Sequence, residues 1–180
     1  MNYEAEYVFK IVAVGSGGVG KTSLIRRFAL NKFGINYVMT LGVDFTTKEL
    51  TVFDKFVKIV CVDTAGQEYY GKIRPSYYSG ATAAFIVFDL TNRNSYESLP
   101  KWIKELRQYL PNIPIAIVGN KLDLAKENAS ARRITEEEAT EFSKKNDMQY
   151  FETSAKEGEG VDHIFMHLSE KVLAKTLHMQ

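Results

Sequence analysis

The 180-residue chain carries a single cysteine, Cys61, so neither an internal disulfide nor a thiolate zinc cluster can form within it. Its neighbours Ile59, Val60 and Val62 are apolar, which predicts a buried, inert thiol and fits a reducing compartment. Charge of one sign is also missing: 23 basic and 22 acidic side chains leave a net charge of +1, and no bulk field favours nucleic acid or an anionic membrane. No apolar run approaches the roughly 20 residues that a bilayer requires. The start, Met1-Asn2-Tyr3-Glu4-Ala5-Glu6, is too polar for a signal peptide and lacks the glycine that myristoylation needs. There is no internal repeat, low-complexity tract or linker. These absences predict a cytoplasmic chain whose function sits in local sites.

At 45% apolar content, residues 1–180 are expected to form one domain that buries about 70% of its unfolded surface. Short runs (Val8 to Val14, Phe56 to Val62, Ala83 to Asp89, Ile113 to Gly119, Gln149 to Thr153) read as strands, several of them apolar nearly throughout, as expected where both faces are covered. Helical spacing runs over Lys21 to Asn31, Ser95 to Leu110, Thr135 to Asn146 and Val161 to Lys175. Pro100 marks either a first turn or a bend. Thr135 and Glu138 have capping-box spacing, and Glu136, Glu137 and Glu138 suit a solvated first turn. Val43 to Leu50 and Lys55 to Val62, joined at Phe53-Asp54-Lys55, read as an antiparallel hairpin. The predicted fold is α/β: a three-layer sandwich with a six-stranded, mainly parallel sheet, one antiparallel edge strand, and helices on both faces.

Gly15-Ser16-Gly17-Gly18-Val19-Gly20-Lys21-Thr22 matches the phosphate-loop pattern G-x-x-x-x-G-K-[ST], between an apolar strand and an amphipathic helix that continues through Ser23. The bare pattern arises by chance in roughly one chain in a hundred of this size; its strand-to-helix setting makes it far more specific. Glycines let backbone amides close on phosphate oxygens at a helix N-terminus. Lys21 would reach the β- and γ-phosphates, and the Thr22 hydroxyl would ligate Mg²⁺. Asp63 emerges where ligands of open α/β sheets collect, and its carboxylate suits Mg²⁺ through water.

Asp63-Thr64-Ala65-Gly66-Gln67-Glu68 is identical to the D-T-A-G-Q-E motif of Ras-like GTPases, which the phosphate loop also resembles. The resemblance spans Val8 to Leu173. It implies that the Gly66 amide meets the γ-phosphate, that Gln67 orients the attacking water, and that Thr40 binds Mg²⁺ while sensing the γ-phosphate. Asn120-Lys121-Leu122-Asp123 matches N-K-x-D. The Asp123 carboxylate can accept guanine N1–H and N2–H₂, which adenine cannot offer, whereas Asn120 would tie this loop to the phosphate loop and the Lys121 stem would cover the base. Ser154-Ala155-Lys156 matches S-A-K: by resemblance Ala155 contacts guanine O6, Ser154 braces Asp123, and Lys156 packs on the nucleoside. Phe33 stands where the family covers the base with a ring, although a core position is equally open to it.

Leu41-Gly42-Val43-Asp44-Phe45, Tyr77-Tyr78-Ser79-Gly80-Ala81 and Phe88-Asp89-Leu90-Thr91-Asn92 resemble Rab signatures, with Val62 in place of the usual tryptophan and Tyr69-Tyr70 in place of arginine-phenylalanine. The resemblance implies a monomeric GTP/GDP switch that binds Mg²⁺, hydrolyses GTP to GDP and meets effectors, exchange factors and GTPase-activating proteins through Asn31 to Phe45 and Ala65 to Ala81. Phe45, Val62 and Tyr77 would line the effector surface, and Gly17 leaves room for an arginine supplied by a partner. Without it, turnover is expected on the order of 10⁻⁴ to 10⁻² per second. Two other readings are a non-switching guanine-nucleotide module, opposed by Gly17, Thr40 and Gln67, and a P-loop ATPase or small-molecule kinase, opposed by Asp123 and Ser154-Ala155-Lys156. His163 and His167 have spacing that suits zinc or a plain helix face. Leu173 to Gln180 contains no cysteine for prenylation, which leaves membrane attachment open to a longer natural tail.

Overall fold

The computed structural model describes residues 4–34, 42–65 and 74–178. In chain order the elements are β1 (Tyr7–Val14), α1 (Lys21–Leu30), β2 (Val43–Val52), β3 (Lys55–Thr64), a 3₁₀ turn (Arg74–Tyr77), β4 (Ala83–Asp89), α2 (Arg93–Glu97), α3 (Leu99–Tyr109), β5 (Ile115–Asn120), α4 (Leu122–Glu127), a second 3₁₀ turn (Ala129–Ala131), α5 (Glu136–Lys145), β6 (Gln149–Glu152) and α6 (Val161–His178). The strands form one sheet in the order β2-β3-β1-β4-β5-β6. Only β2 runs antiparallel to its neighbour. This is the expected α/β arrangement.

Alternation along β1 divides the core. Phe9, Ile11 and Ala13 face a cluster with Leu24 and Phe28 of α1 and Phe165 and Leu168 of α6. Val12 and Val14 face the opposite cluster with Leu99 and Trp102 of α3 and Ala139 of α5. A strand with helices on both faces needs apolar residues at consecutive positions, which accounts for runs such as Ala83–Asp89, buried throughout. The Phe28 and Phe165 rings stack at 3.7 Å between centroids, and Phe85 meets Phe165 edge-on at 5.3 Å.

The β2–β3 hairpin turns through Phe53 and Asp54, both at positive φ (46° and 60°), with Val52 opposite Lys55. Two consecutive left-handed residues match the twist of the strands, although neither is a glycine. The helix expected over Ser95 to Leu110 is two helices broken at Ser98. Pro100 cannot donate a ladder bond and therefore falls in the first turn of α3, where none is required. Thr135 caps α5 by accepting from Glu138 N at 3.1 Å. The reciprocal half of the capping box is not formed, because Arg93 takes the Glu138 carboxylate through two nitrogens.

Among the described residues, no helix is long and apolar enough to cross a membrane.

Candidate functional site

The parallel register aligns the C-terminal ends of the central strands: Ala13 lies opposite Asp63, Val14 opposite Ile86, and Asp89 opposite Asn120. Loops leaving these ends converge, as ligand-binding loops do in open α/β sheets. The loop between β1 and α1 holds Gly15 to Gly20, with Lys21, Thr22 and Ser23 in the first turn of α1. Its Lys21 ammonium is buried and donates to Gly15 O and Ser16 O, both at 2.8 Å. Ser16 Oγ lies 3.0 Å from Ser98 Oγ, which joins the loop to the break between α2 and α3. An added Cβ at Gly17 would meet no described atom within 4 Å. At Gly20, where φ is +100°, an added Cβ would collide with Asn120 Nδ2.

Thr22 Oγ1 donates to Asp63 Oδ2 at 2.5 Å, so two of the three expected metal ligands stand together although 41 positions separate them. Asp63 and Thr64 are buried at the end of β3, and the Thr64 hydroxyl donates to Ala13 O at 2.7 Å. Thr40, Gly66 and Gln67 lie outside the described residues.

The other half of the site is built on Asn120. Its Nδ2 donates to Val19 O at 2.9 Å, and its Oδ1 accepts from Thr153 Oγ1 and Ala155 N, each at 3.2 Å. One buried side chain thus joins the phosphate loop to both base loops. Ser154 Oγ donates to Asp123 Oδ1 at 2.7 Å, fixing that carboxylate within the first turn of α4, a helix too short to show periodicity in the sequence. Lys121, at φ 67°, sends its ammonium to Asp89 Oδ2 at 2.6 Å, and Thr91 donates to the other Asp89 oxygen through its amide and hydroxyl. Lys156 reaches outward, 3.5 Å from Glu127 Oε1; that carboxylate first, by charge and hydrogen bond, holds its pKa above the ordinary value. Phe33 is 38% exposed, which removes the core alternative for it.

Two residues that hold this site, Asp89 and Thr153, have no site role implied by the motifs. Asp89 carries a usable signal, a carboxylate at the C-terminal end of an apolar strand. Thr153 carries none, because its partner Asn120 is 33 positions away. Behind the base loop, Glu152 pairs with Arg132 and accepts from Tyr150 Oη at 2.8 Å. Burial first, then the Glu152 charge, pushes the Tyr150 phenol far above its usual range, so it stays a donor.

Val62 departs from expectation. It is fully buried among Val12, Ala84 and Tyr78, with Val43 and Tyr77 packed on the cluster, because a valine is short enough for its neighbours to close over it. Phe45, directly opposite on β2, is 52% exposed. His167 packs edge-on against Phe151 at 5.4 Å, and burial lowers its pKa. Among the described residues, no group of three or more His, Cys, Asp or Glu side chains could hold a metal ion.

A six-stranded sheet with one antiparallel edge, a phosphate loop after β1 and a polar loop pair at the ends of β5 and β6 define a P-loop nucleotide-binding domain. The Ras family model matches residues 10–174. Ras-related protein RABA4d of Arabidopsis thaliana is 41% identical over 172 residues, covering 95% of this chain and 76% of its own. Ras-related protein Rab-30 of Homo sapiens is 41% identical over 171 residues, with coverages of 94% and 82%. GTP-binding protein ypt3 of Schizosaccharomyces pombe is 41% identical over 163 residues, with coverages of 90% and 74%. The chain belongs to the Ras family, with Rab-like relatives. It is a small GTPase, a GTP/GDP-dependent switch of the kind that acts in vesicle trafficking. Members of this family are generally Mg²⁺-dependent and work with regulators and effectors.

Proposed function

We propose that residues 1–180 form a single GTPase domain that holds the nucleotide phosphates over Gly15 to Ser23 and guanine between Asn120–Asp123 and Ser154–Lys156. The Asn120 bond to Val19 O carries this reading, since it makes the phosphate and base loops one unit. Amides of the phosphate loop and the first turn of α1 surround the phosphates. Lys21 exchanges its two carbonyl partners for β- and γ-phosphate oxygens. Asp123, braced by Ser154, accepts guanine N1–H and N2–H₂; the Ala155 amide serves O6, and Phe33 and the Lys121 stem cover the ring faces.

The paired oxygens of Thr22 and Asp63 fit Mg²⁺, a hard cation held by few protein oxygens beside phosphates. Bound there with Thr40, Mg²⁺ supplies charge neutralisation at the phosphate oxygens. Gln67 orients water for addition to the γ-phosphorus as the bond to the β–γ bridging oxygen breaks, giving GDP and phosphate. Loss of the γ-phosphate removes the contacts that Thr40 and Gly66 make with it, and the segments carrying them relax. Effectors, exchange factors and GTPase-activating proteins read that change through Asn31 to Phe45 and Ala65 to Ala81, where exposed Phe45 and half-buried Tyr77 supply apolar contact. The domain acts as a cytoplasmic monomer without nucleic acid, and joins membranes if its natural chain carries a lipidated tail.

Competition of unlabelled GDP and ADP against a fluorescent GDP analogue tests the base assignment. GDP should compete about 10⁴-fold better, and Asp123→Ala should erase most of that preference. Equal competition by ADP against the unsubstituted protein would refute the assignment.

A further inference from the structure

Arg27 projects from α1, yet the bonds of its guanidinium go to the base loop. Nε donates to Ala155 O at 2.9 Å and Nη2 to Lys156 O at 2.5 Å, so one planar fork takes two successive carbonyls. Its third nitrogen, Nη1, faces the other way, donating to Asn31 Oδ1 at 3.2 Å and Asn31 O at 3.4 Å. Asn31 ends α1 in the left-handed conformation at φ 50°, and Phe33 follows two residues later. Gly158 lies over the arginine stem, where an added Cβ would stand 3.5 Å from Arg27 Cδ. A single half-buried side chain therefore joins the end of α1 to residues 155 and 156.

We infer that Arg27 is a positioning residue that sets the rate of guanine-nucleotide release. This rests on the base-site reading above. Ala155 supplies the amide assigned to O6, and its own carbonyl is the one that Arg27 Nε holds. Phe33, assigned to the ring face, leaves from the helix end that Nη1 holds. The guanidinium thus braces two walls of the base site while its own bonds go to protein atoms. For the base to depart, the loop must swing away, and the two carbonyls must first leave the fork. Removing the fork lets the loop open without that step. Charge-assisted bonds of this kind correspond to roughly a tenfold change in rate or more.

The test is release of a fluorescent GDP analogue into excess unlabelled GDP, from the unsubstituted protein and from Arg27→Ala and Arg27→Lys. Arg27→Lys keeps the charge, the stem and the helix propensity but not the fork. Both variants should release the analogue faster, Arg27→Ala by about tenfold or more. Chelating Mg²⁺ should accelerate all three proteins by the same factor, because Arg27 acts at the base end rather than at the phosphates. Wild-type release by both folded variants would overturn the inference. So would a Mg²⁺ effect that disappears in the variants, which would put the arginine at the phosphate end. Loss of the fold in both, seen as absent cooperative melting, would also overturn it by making Arg27 part of the frame. If the unsubstituted protein bound no guanine nucleotide, the base-site reading would fall first and this inference with it.

Discussion

Asn120 reaches across 101 positions to donate its side-chain amide to the carbonyl of Val19 at 2.9 Å. The contact is close enough that residue 20 has no room for a Cβ, so a glycine in the phosphate loop and an asparagine at the end of β5 are matched to one another. The same side chain accepts from Thr153 and Ala155. Asn120→Ala would leave Val19 O, Thr153 Oγ1 and Ala155 N without these partners in a buried setting. At about 1 to 3 kcal/mol per stranded group, partly relieved by water, the loss of stability should be about 3 kcal/mol. GDP affinity should fall by roughly a hundredfold or more. Urea unfolding and calorimetric titration with GDP measure the two effects.

The hairpin turn offers a stabilising change. Phe53 is held at φ 46° while its ring is 61% exposed, so a side chain that disfavours the left-handed region gains little from packing there. Asparagine tolerates that conformation. Phe53→Asn should therefore raise unfolding free energy by about 1 kcal/mol in urea and leave nucleotide binding unaltered. A loss of stability would mean that the exposed ring contributes more than the backbone costs.

Cys61 provides a pH signature. Desolvation pushes its thiol up to about 12, slightly offset by Lys48. The unfolded thiol titrates near its ordinary value of about 8.5, so above that pH the folded chain binds more protons than the unfolded chain. Stability from this group is therefore complete below about pH 8.5 and declines as pH rises toward 12. Comparing Cys61→Ala with the unsubstituted protein by urea unfolding across this range should show a steeper decline where the thiol is present, added to the decline that the raised Tyr150 phenol gives both proteins above about pH 10. A thiol reagent at pH 8 should label the native protein only as fast as it opens.

The fold was legible because both-face burial writes itself into sequence as unbroken apolar runs; Ala83–Asp89 appears with the expected bounds. The hairpin was readable from its two strands and short turn. The break at Ser98 was not, since Pro100 is compatible with a bend or a first turn, and only the packing of Trp102 and Ser16 on Ser98 distinguishes them. Helix α4 escaped because six residues give too little periodicity to read. In the site, the motifs name groups of residues; the bonds between groups lie at separations of 31 to 129 positions and have no local signal. Asp89 shows the limit well: its place at a strand end was visible, but its pairing with Lys121 follows from β4 and β5 being neighbours.

The most direct measurement is phosphate release from GTP in the presence of Mg²⁺, under single-turnover conditions, for the unsubstituted protein and Gln67→Leu. The unsubstituted protein should release phosphate slowly, on the order of 10⁻⁴ to 10⁻² per second, and Gln67→Leu at least tenfold more slowly with GTP binding retained. Equal release by both proteins would contradict the role of Gln67, and no release by a GTP-loaded unsubstituted protein would contradict the switch itself.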